Sequence, residues 1–253
     1  MRNASSSIMQ RRASHTHVLR LIDSSPALRQ SYETLVSSLR LQNGVRPLRS
    51  VLISSAQPEE GKTTVAVGLA LVLARAGKRV LLVDADLRRP ALHRVFGLEN
   101  ARGLADVLAG DLHHAEAAHV IPIPGLAGER PGTLSLVTSG RPSAFPLGAM
   151  QSAALADVIR GFTDAYDFVV IDSPPLLSVS DALLIASAVD GVILILNTGV
   201  VSEADGRRTM ERLSQAGGRV LGAVMNRFDE KQHGPGFHPY HGYYESPPLK
   251  DRA

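Results

Sequence analysis

Short runs of uninterrupted apolar residues recur along this chain, several of them closing on a polar or acidic residue. They read SVLIS (50–54), RVLLVD (79–84), LSLVT (134–138), DFVVID (167–172), GVILIL (191–196) and RVLGAVMN (219–226). A strand with one wet face alternates apolar and polar positions. These runs mostly do not alternate, which predicts strands of a mostly parallel sheet covered on both faces. Between several of them, helical spacing predicts helices near 62–76, 147–165, 180–188 and 202–216. Another helix is expected over 26–42. Ser25 and Pro26 suit its cap and first turn, Leu28, Tyr32, Leu35 and Leu39 form its stripe, and Asn43-Gly44 closes it. The repeated βα rhythm predicts one α/β domain, doubly wound, over residues 25–228. Residues 1–24 and 229–253 read as flexible arms.

Composition narrows the classes. A hydrophobic fraction of 44% supports a substantial core, and the absence of cysteine removes disulfides, thiolate metal sites and a thiol nucleophile. No apolar run reaches the roughly 18 residues of a membrane span, so the expected localisation is cytoplasmic, with a partner holding the protein at the membrane if it works there. The net charge of +3 is concentrated at one end: Arg2, Arg11, Arg12 and Arg20 fall within residues 1–22, which hold no acidic residue, so the remaining chain is slightly negative. A near-neutral body argues against a nucleic-acid partner.

The chemistry starts in VLISSAQPEEGKTTVAVGLA, a strand, a tight loop and the start of a helix. The loop Ala56–Thr63 reads as a phosphate-binding loop with Ala56 where the first glycine usually stands. Backbone N–H groups at a helix N-terminus face phosphate oxygens, with the helix dipole behind them. The nucleotide-binding set expected is Gln57, Glu60, Gly61, Lys62, Thr63 and Thr64. Lys62 would neutralise β- and γ-oxygens and the Thr63 hydroxyl would ligate Mg²⁺. Two further runs end in acid, LLVDADLRRP with Asp84 and Asp86, and VVIDSPP with Asp172. Ligands of open α/β sheets bind at the carboxyl ends of the strands, where these residues stand.

Together these three motifs resemble those of the bacterial tyrosine kinases, P-loop proteins distinct in fold from eukaryotic protein kinases. The likeness runs from about residue 26 to 228 and includes FGLENARGLADVLAGD (96–111) and DSPPLLSVSDALLIASAVDGVILIL (172–196). That family ends in a tyrosine cluster, and this chain, with five tyrosines in all, places Tyr240, Tyr243 and Tyr244 in its last fourteen residues. The resemblance implies ATP and Mg²⁺ as cofactors and tyrosine phosphorylation of the chain's own tail. Lys62, Asp84 and Asp86 would be catalytic, with Asp84 the general base. Thr63, Asp86 and Asp172 would serve the metal, Asn226 would contact adenine, and Arg88 and Arg89 would steady phosphate charge. Tyr240, Tyr243 and Tyr244 would be the phosphoacceptors. It also implies a role in exopolysaccharide or capsule synthesis or export, a membrane-embedded activator as partner, and a possible homo-oligomer.

Some positions depart from the family pattern. The helix over 26–42 should carry an acid and two arginines at three-residue steps for assembly, but the matching positions are Gln30, Glu33 and Val36. Glu59 stands where glycine is common. The alternatives are a nucleotide-switch ATPase of the MinD/ParA type and a nucleotide-binding regulator without kinase activity. Against the first, Gln57 occupies the place of that group's signature lysine, and the Pro-, Gly- and Tyr-rich tail cannot form a lipid-binding amphipathic helix.

Overall fold

In the central strand, β1 (Ser50–Ser55), Val51 and Ile53 join an apolar cluster on one face of the sheet and Leu52 joins the cluster on the other. All three are fully buried. Side chains leave a strand to alternate faces, so burial on both sides requires an apolar run without polar interruption. The computed structural model describes residues 13–45, 47–123, 132–141, 153–197 and 201–228. Around β1 lie β2 (Arg79–Asp84), β3 (Ala118–Ile121), β4 (Thr133–Val137), β5 (Phe168–Asp172), β6 (Gly191–Asn197) and β7 (Val220–Asn226), in the spatial order β3-β4-β2-β5-β1-β6-β7. All neighbours pair parallel except β3, which runs antiparallel to β4. This is the doubly wound α/β domain expected, and it sets the carboxyl ends of β2, β5 and β1 side by side.

One face of the sheet is covered by α1 (Ala13–Ser24), α2 (Pro26–Val45), α3 (Lys62–Arg75) and α4 (Leu92–Phe96). The other carries α5 (Leu104–Ala109), α6 (His114–Ala117), α7 (Ala153–Ala165), α8 (Asp181–Ala188) and α9 (Glu203–Gln215). Helix α3 is apolar nearly all round, and Val65 through Leu71 are all buried. A helix of that composition needs cover on every side. The sheet provides one side, and α1 and α2 provide the rest. At Gly68 the crossing with α2 is so close that a β-carbon would lie 2.1 Å from the Tyr32 hydroxyl.

Structure and expectation part in several places. The N-terminal arm was expected to be flexible through residue 24, yet Ala13–Ser24 is helical. Ile22 is only 2% exposed, and the Arg75 guanidinium donates to both Asp23 carboxylate oxygens at 2.6 and 3.1 Å. The apolar outer side of α3 explains this: α1 is the lid it requires. Helix α2 runs to Val45, past the expected stop at Asn43-Gly44. Strand β7 is an edge strand with Gly222, Ala223 and Met225 exposed, so its apolar run does not signal two-sided burial. Strand β3 and helices α4 to α6 are too short for periodicity to announce. Of the helix expected over 147–165, the part before 153 lies outside the described residues, as do Tyr240, Tyr243 and Tyr244.

Candidate active site

The loop between β1 and α3 is folded by its own polar groups. The Ser55 hydroxyl donates to the Gln57 carbonyl at 2.6 Å and accepts from Lys62 Nζ at 3.0 Å. Glu60 is fully buried, and its carboxylate accepts the Gln57 N–H at 2.6 Å and the Asn197 N–H at the end of β6 at 3.0 Å. A buried charge needs such partners. Glu60 therefore fastens the loop to the sheet, and only its backbone is left to face a phosphate. Glu59 adopts a left-handed backbone at φ 63°, a conformation that glycine takes without strain, and its side chain is exposed, away from the loop's interior. Gly61 has φ 96°, and a β-carbon there would lie 2.0 Å from Asn226 Nδ2. That amide, at the end of β7, donates to the Glu60 carbonyl at 2.8 Å. Asn226 thus reaches the phosphate loop across β6, with its amide nitrogen engaged.

The two acidic strand ends meet. Asp84 and Asp172 are register partners at the carboxyl ends of β2 and β5, and both are buried. Their environments differ. One oxygen of Asp84 accepts the Ala91 and Leu92 N–H groups at 2.9 Å each, where α4 begins, and the other accepts the Asp86 N–H at 3.3 Å. Burial raises its pKa to about 6, opposed by those N–H groups. Asp172 accepts only the Thr63 hydroxyl, at 2.6 Å on Oδ2, while its buried Oδ1 has no partner. Burial, and then the charge of Asp84, push Asp172 up to about 8. Asp86 is half-buried and folds the next turn by accepting the Arg88 and Arg89 N–H groups at 3.2 and 2.8 Å. Burial lowers the Lys62 pKa, against the opposing pull of Asp172, Asp86 and Glu60.

An orphaned carboxylate oxygen beside a threonine hydroxyl is a hard-oxygen donor pair suited to Mg²⁺. Among the described residues no cluster of three or more His, Cys, Asp or Glu side chains is arranged to hold a metal. The protein thus offers part of a shell, and Mg²⁺ ordinarily completes such a shell with substrate phosphate oxygens and water. The residues fit the ion: Thr63 and Asp172 would hold it, with Asp86 reaching it through water.

Of the residues expected to form the site, Gln57, Glu60, Gly61, Lys62, Thr63, Thr64, Asp84, Asp86, Asp172 and Asn226 all lie at this end of the sheet. Arg88 and Arg89 are both exposed, and Arg88 is drawn into an ion pair with Asp181 at 3.0 Å. Gln30 and Glu33 lie exposed on α2, and Val36 is in the core. Sequence reading missed the fastening done by Ser55, the Glu60 carboxylate and Asn197. It also missed a cavity of about 380 Å³ where α1 meets the site, lined by Val18, Val67 and Val95 together with Thr63, Thr64, His17 and Arg20.

Residues 51–214 match the family described as AAA domain. The tyrosine-protein kinase YwqD of Bacillus subtilis is 34% identical over 215 residues, covering 85% of each chain. This chain belongs to the bacterial tyrosine kinases. The tyrosine-protein kinase CpsD of Streptococcus pneumoniae is 33% identical over 78% of this chain and 83% of its own. Among solved structures, the kinase domain of Escherichia coli tyrosine kinase ETK aligns with a TM-score of 0.66 at 28% identity, over 79% of this chain and 76% of that one. The septum site-determining protein MinD of Pyrococcus horikoshii aligns at 0.56 over 72% of this chain and 71% of its own, also at 28% identity. The kinase domain is thus the better structural match, over more of the chain.

Proposed function

We propose that this bacterial tyrosine kinase is an ATP- and Mg²⁺-dependent autokinase that phosphorylates Tyr240, Tyr243 and Tyr244 of its own tail. The observation that carries the reading is the unpartnered Oδ1 of Asp172 beside the Thr63 hydroxyl, next to a lysine held by Ser55 over the phosphate loop. Thr63 and Asp172 would hold Mg²⁺, which would supply neutralisation of phosphate charge. Lys62 leaves Ser55 for the β- and γ-oxygens, and the N–H groups of Gly61 to Thr64 receive the remaining charge at the start of α3. Asn226, whose amide nitrogen is held by the Glu60 carbonyl, would offer its side-chain oxygen to adenine. The phenol oxygen forms a bond to the γ-phosphorus as the bond to the bridging oxygen breaks, and ADP leaves with that electron pair. The phenol proton passes to the Asp84–Asp86 pair. Asp86 is the member open to the site, and Asp84 is the one whose raised pKa lets it share a proton near neutrality.

A tail of about 25 residues spans on the order of 80 Å when extended, so the acceptor can come from the same chain or a second copy. Each phosphotyrosine adds roughly −1.5 to −2 charges, enough to loosen contacts between copies. Among the described residues no helix is long and apolar enough to cross a membrane. A membrane-embedded activator of polysaccharide synthesis or export is the partner that would bring this kinase to the inner face of the membrane.

The experiment is intact mass after incubation with ATP and Mg²⁺, with and without the cytosolic segment of such an activator, followed by peptide mapping of 229–253. Phosphate on the three tail tyrosines is expected, and Lys62→Met should remove it. ATP hydrolysis without tail phosphate in both arms would overturn the reading in favour of a switch ATPase.

A further inference from the structure

The cavity between α1, α3 and α4 has a position that the phosphate site alone does not explain. Thr63 and Thr64, at the first turn of α3, line it. Thr63 already touches Asp172. Val95, which also lines it, stands one turn beyond the N–H groups that Asp84 accepts. The cavity's lining thus includes neighbours of both Asp172 and Asp84, and does not include Asn226. Val18 and Val67 add apolar lining, and Arg20 and His17 add polar lining. Its volume of about 380 Å³ lies at the low end for small-molecule pockets, which run roughly 300–1,000 Å³.

A tyrosyl group has this chemistry in reverse: an apolar ring with one polar end. We propose that this cavity is the acceptor subsite, in which Val18, Val67 and Val95 grip the tyrosine ring, its oxygen lies toward Thr63, and Arg20 meets the phosphoryl group as it transfers. The inference rests on the kinase reading above. An arginine suits that place because it stays charged at any working pH and presents several donors to phosphate oxygens. Arg88 cannot take the role while it is paired to Asp181. Helix α1 can hold Arg20 in position because it is seated by buried Ile22 and by the two hydrogen bonds from Arg75 to Asp23. A segment that reads as a solvated basic arm thereby becomes part of the acceptor site.

The test uses the full-length chain with its own tail, acting on a synthetic peptide of residues 237–248. Val18→Trp, which fills the cavity, and Arg20→Ala are each expected to lower kcat/KM for the peptide by about tenfold, while KM for ATP stays within about twofold. Arg20→Lys should restore part of the loss. Melting temperatures of all variants identify any misfolding, and if Val18→Trp does not fold, the Arg20 pair decides alone. Peptide kinetics unchanged in a folded Arg20→Ala would overturn the subsite, as would an equal rise in KM for ATP, which would give the cavity to the nucleotide. If the wild-type chain, with the activator segment present as well as without it, labels neither its tail nor the peptide, the kinase reading fails and the subsite with it.

Discussion

Asp84 and Asp172 sit side by side at the ends of adjacent strands, are equally buried, and read almost identically in sequence as VD and ID after an apolar run. They nevertheless differ in kind. Asp84 is saturated by backbone: three N–H groups reach it, and two of them start α4. Asp172 is left short, with one hydroxyl on one oxygen and none on the other. Burying a carboxylate is costly unless its oxygens are satisfied. The first carboxylate is satisfied within the fold and shapes it. The second is satisfied only when a cation arrives, so the fold bears its cost for the sake of the reaction.

The largest effect expected from this contrast is in activity. In Asp172→Asn the amide oxygen still accepts the Thr63 hydroxyl, but the charge that draws Mg²⁺ is gone. Labelling of the tail should fall by at least about 100-fold, while the melting temperature stays level or rises. A clear drop in melting temperature would mean that Asp172, too, is structural. Asp84→Ala should differ in kind, costing stability as well as transfer. It strips three N–H groups of their acceptor, and chemical denaturation should show a loss of about 2–4 kcal/mol; a stable Asp84→Ala chain would put the two residues in one class.

A third carboxylate gives the comparison an outside reference. Asp23 is half exposed and paired to Arg75, and that hydrogen-bonded pairing lowers its pKa. A depressed carboxylate contributes stability that is present above its unfolded pKa and lost as pH falls through the folded value. Acid below about pH 4 should therefore weaken the seating of α1, by about 1 kcal/mol, the scale of a partly exposed pair. Hydrogen exchange of 17–24 should rise there before that of β1, and an unchanged order would place the hold on α1 elsewhere. The smallest effect belongs to Thr63→Ser, which keeps the hydroxyl and should hold activity within about threefold; Thr63→Ala should not.

Much of this was legible early, for identifiable reasons. Strands β1, β2, β5 and β6 announce themselves because two-sided burial demands apolar residues at every position. The phosphate loop is legible because Gly61, Lys62 and Thr63 need a fixed order along the backbone. Strand β7 misleads because an edge strand can be as apolar as a central one while several of its residues stay exposed. Helix α1 is hidden because its reason for folding lies in α3, some fifty residues away, and not in its own basic, Ser-rich surroundings. Glu60 reads as a loop residue near phosphate, and only the approach of Asn197 from β6 shows where its carboxylate goes.

The amino-acid order by itself determined the strand–loop–helix that makes a phosphate site and the acidic strand ends beside it, because local spacing decides those features. Which acid is saturated and which is left open was decided only by tertiary structure. So was the conversion of a basic N-terminal segment into a wall of the site. In both cases the deciding partners, Ala91 and Leu92 for Asp84, Thr63 for Asp172 and Arg75 for Asp23, come from other elements of the chain. Hydrogen bonds to buried carboxylates are set by which backbone groups the packing delivers, and no pattern along the chain records that.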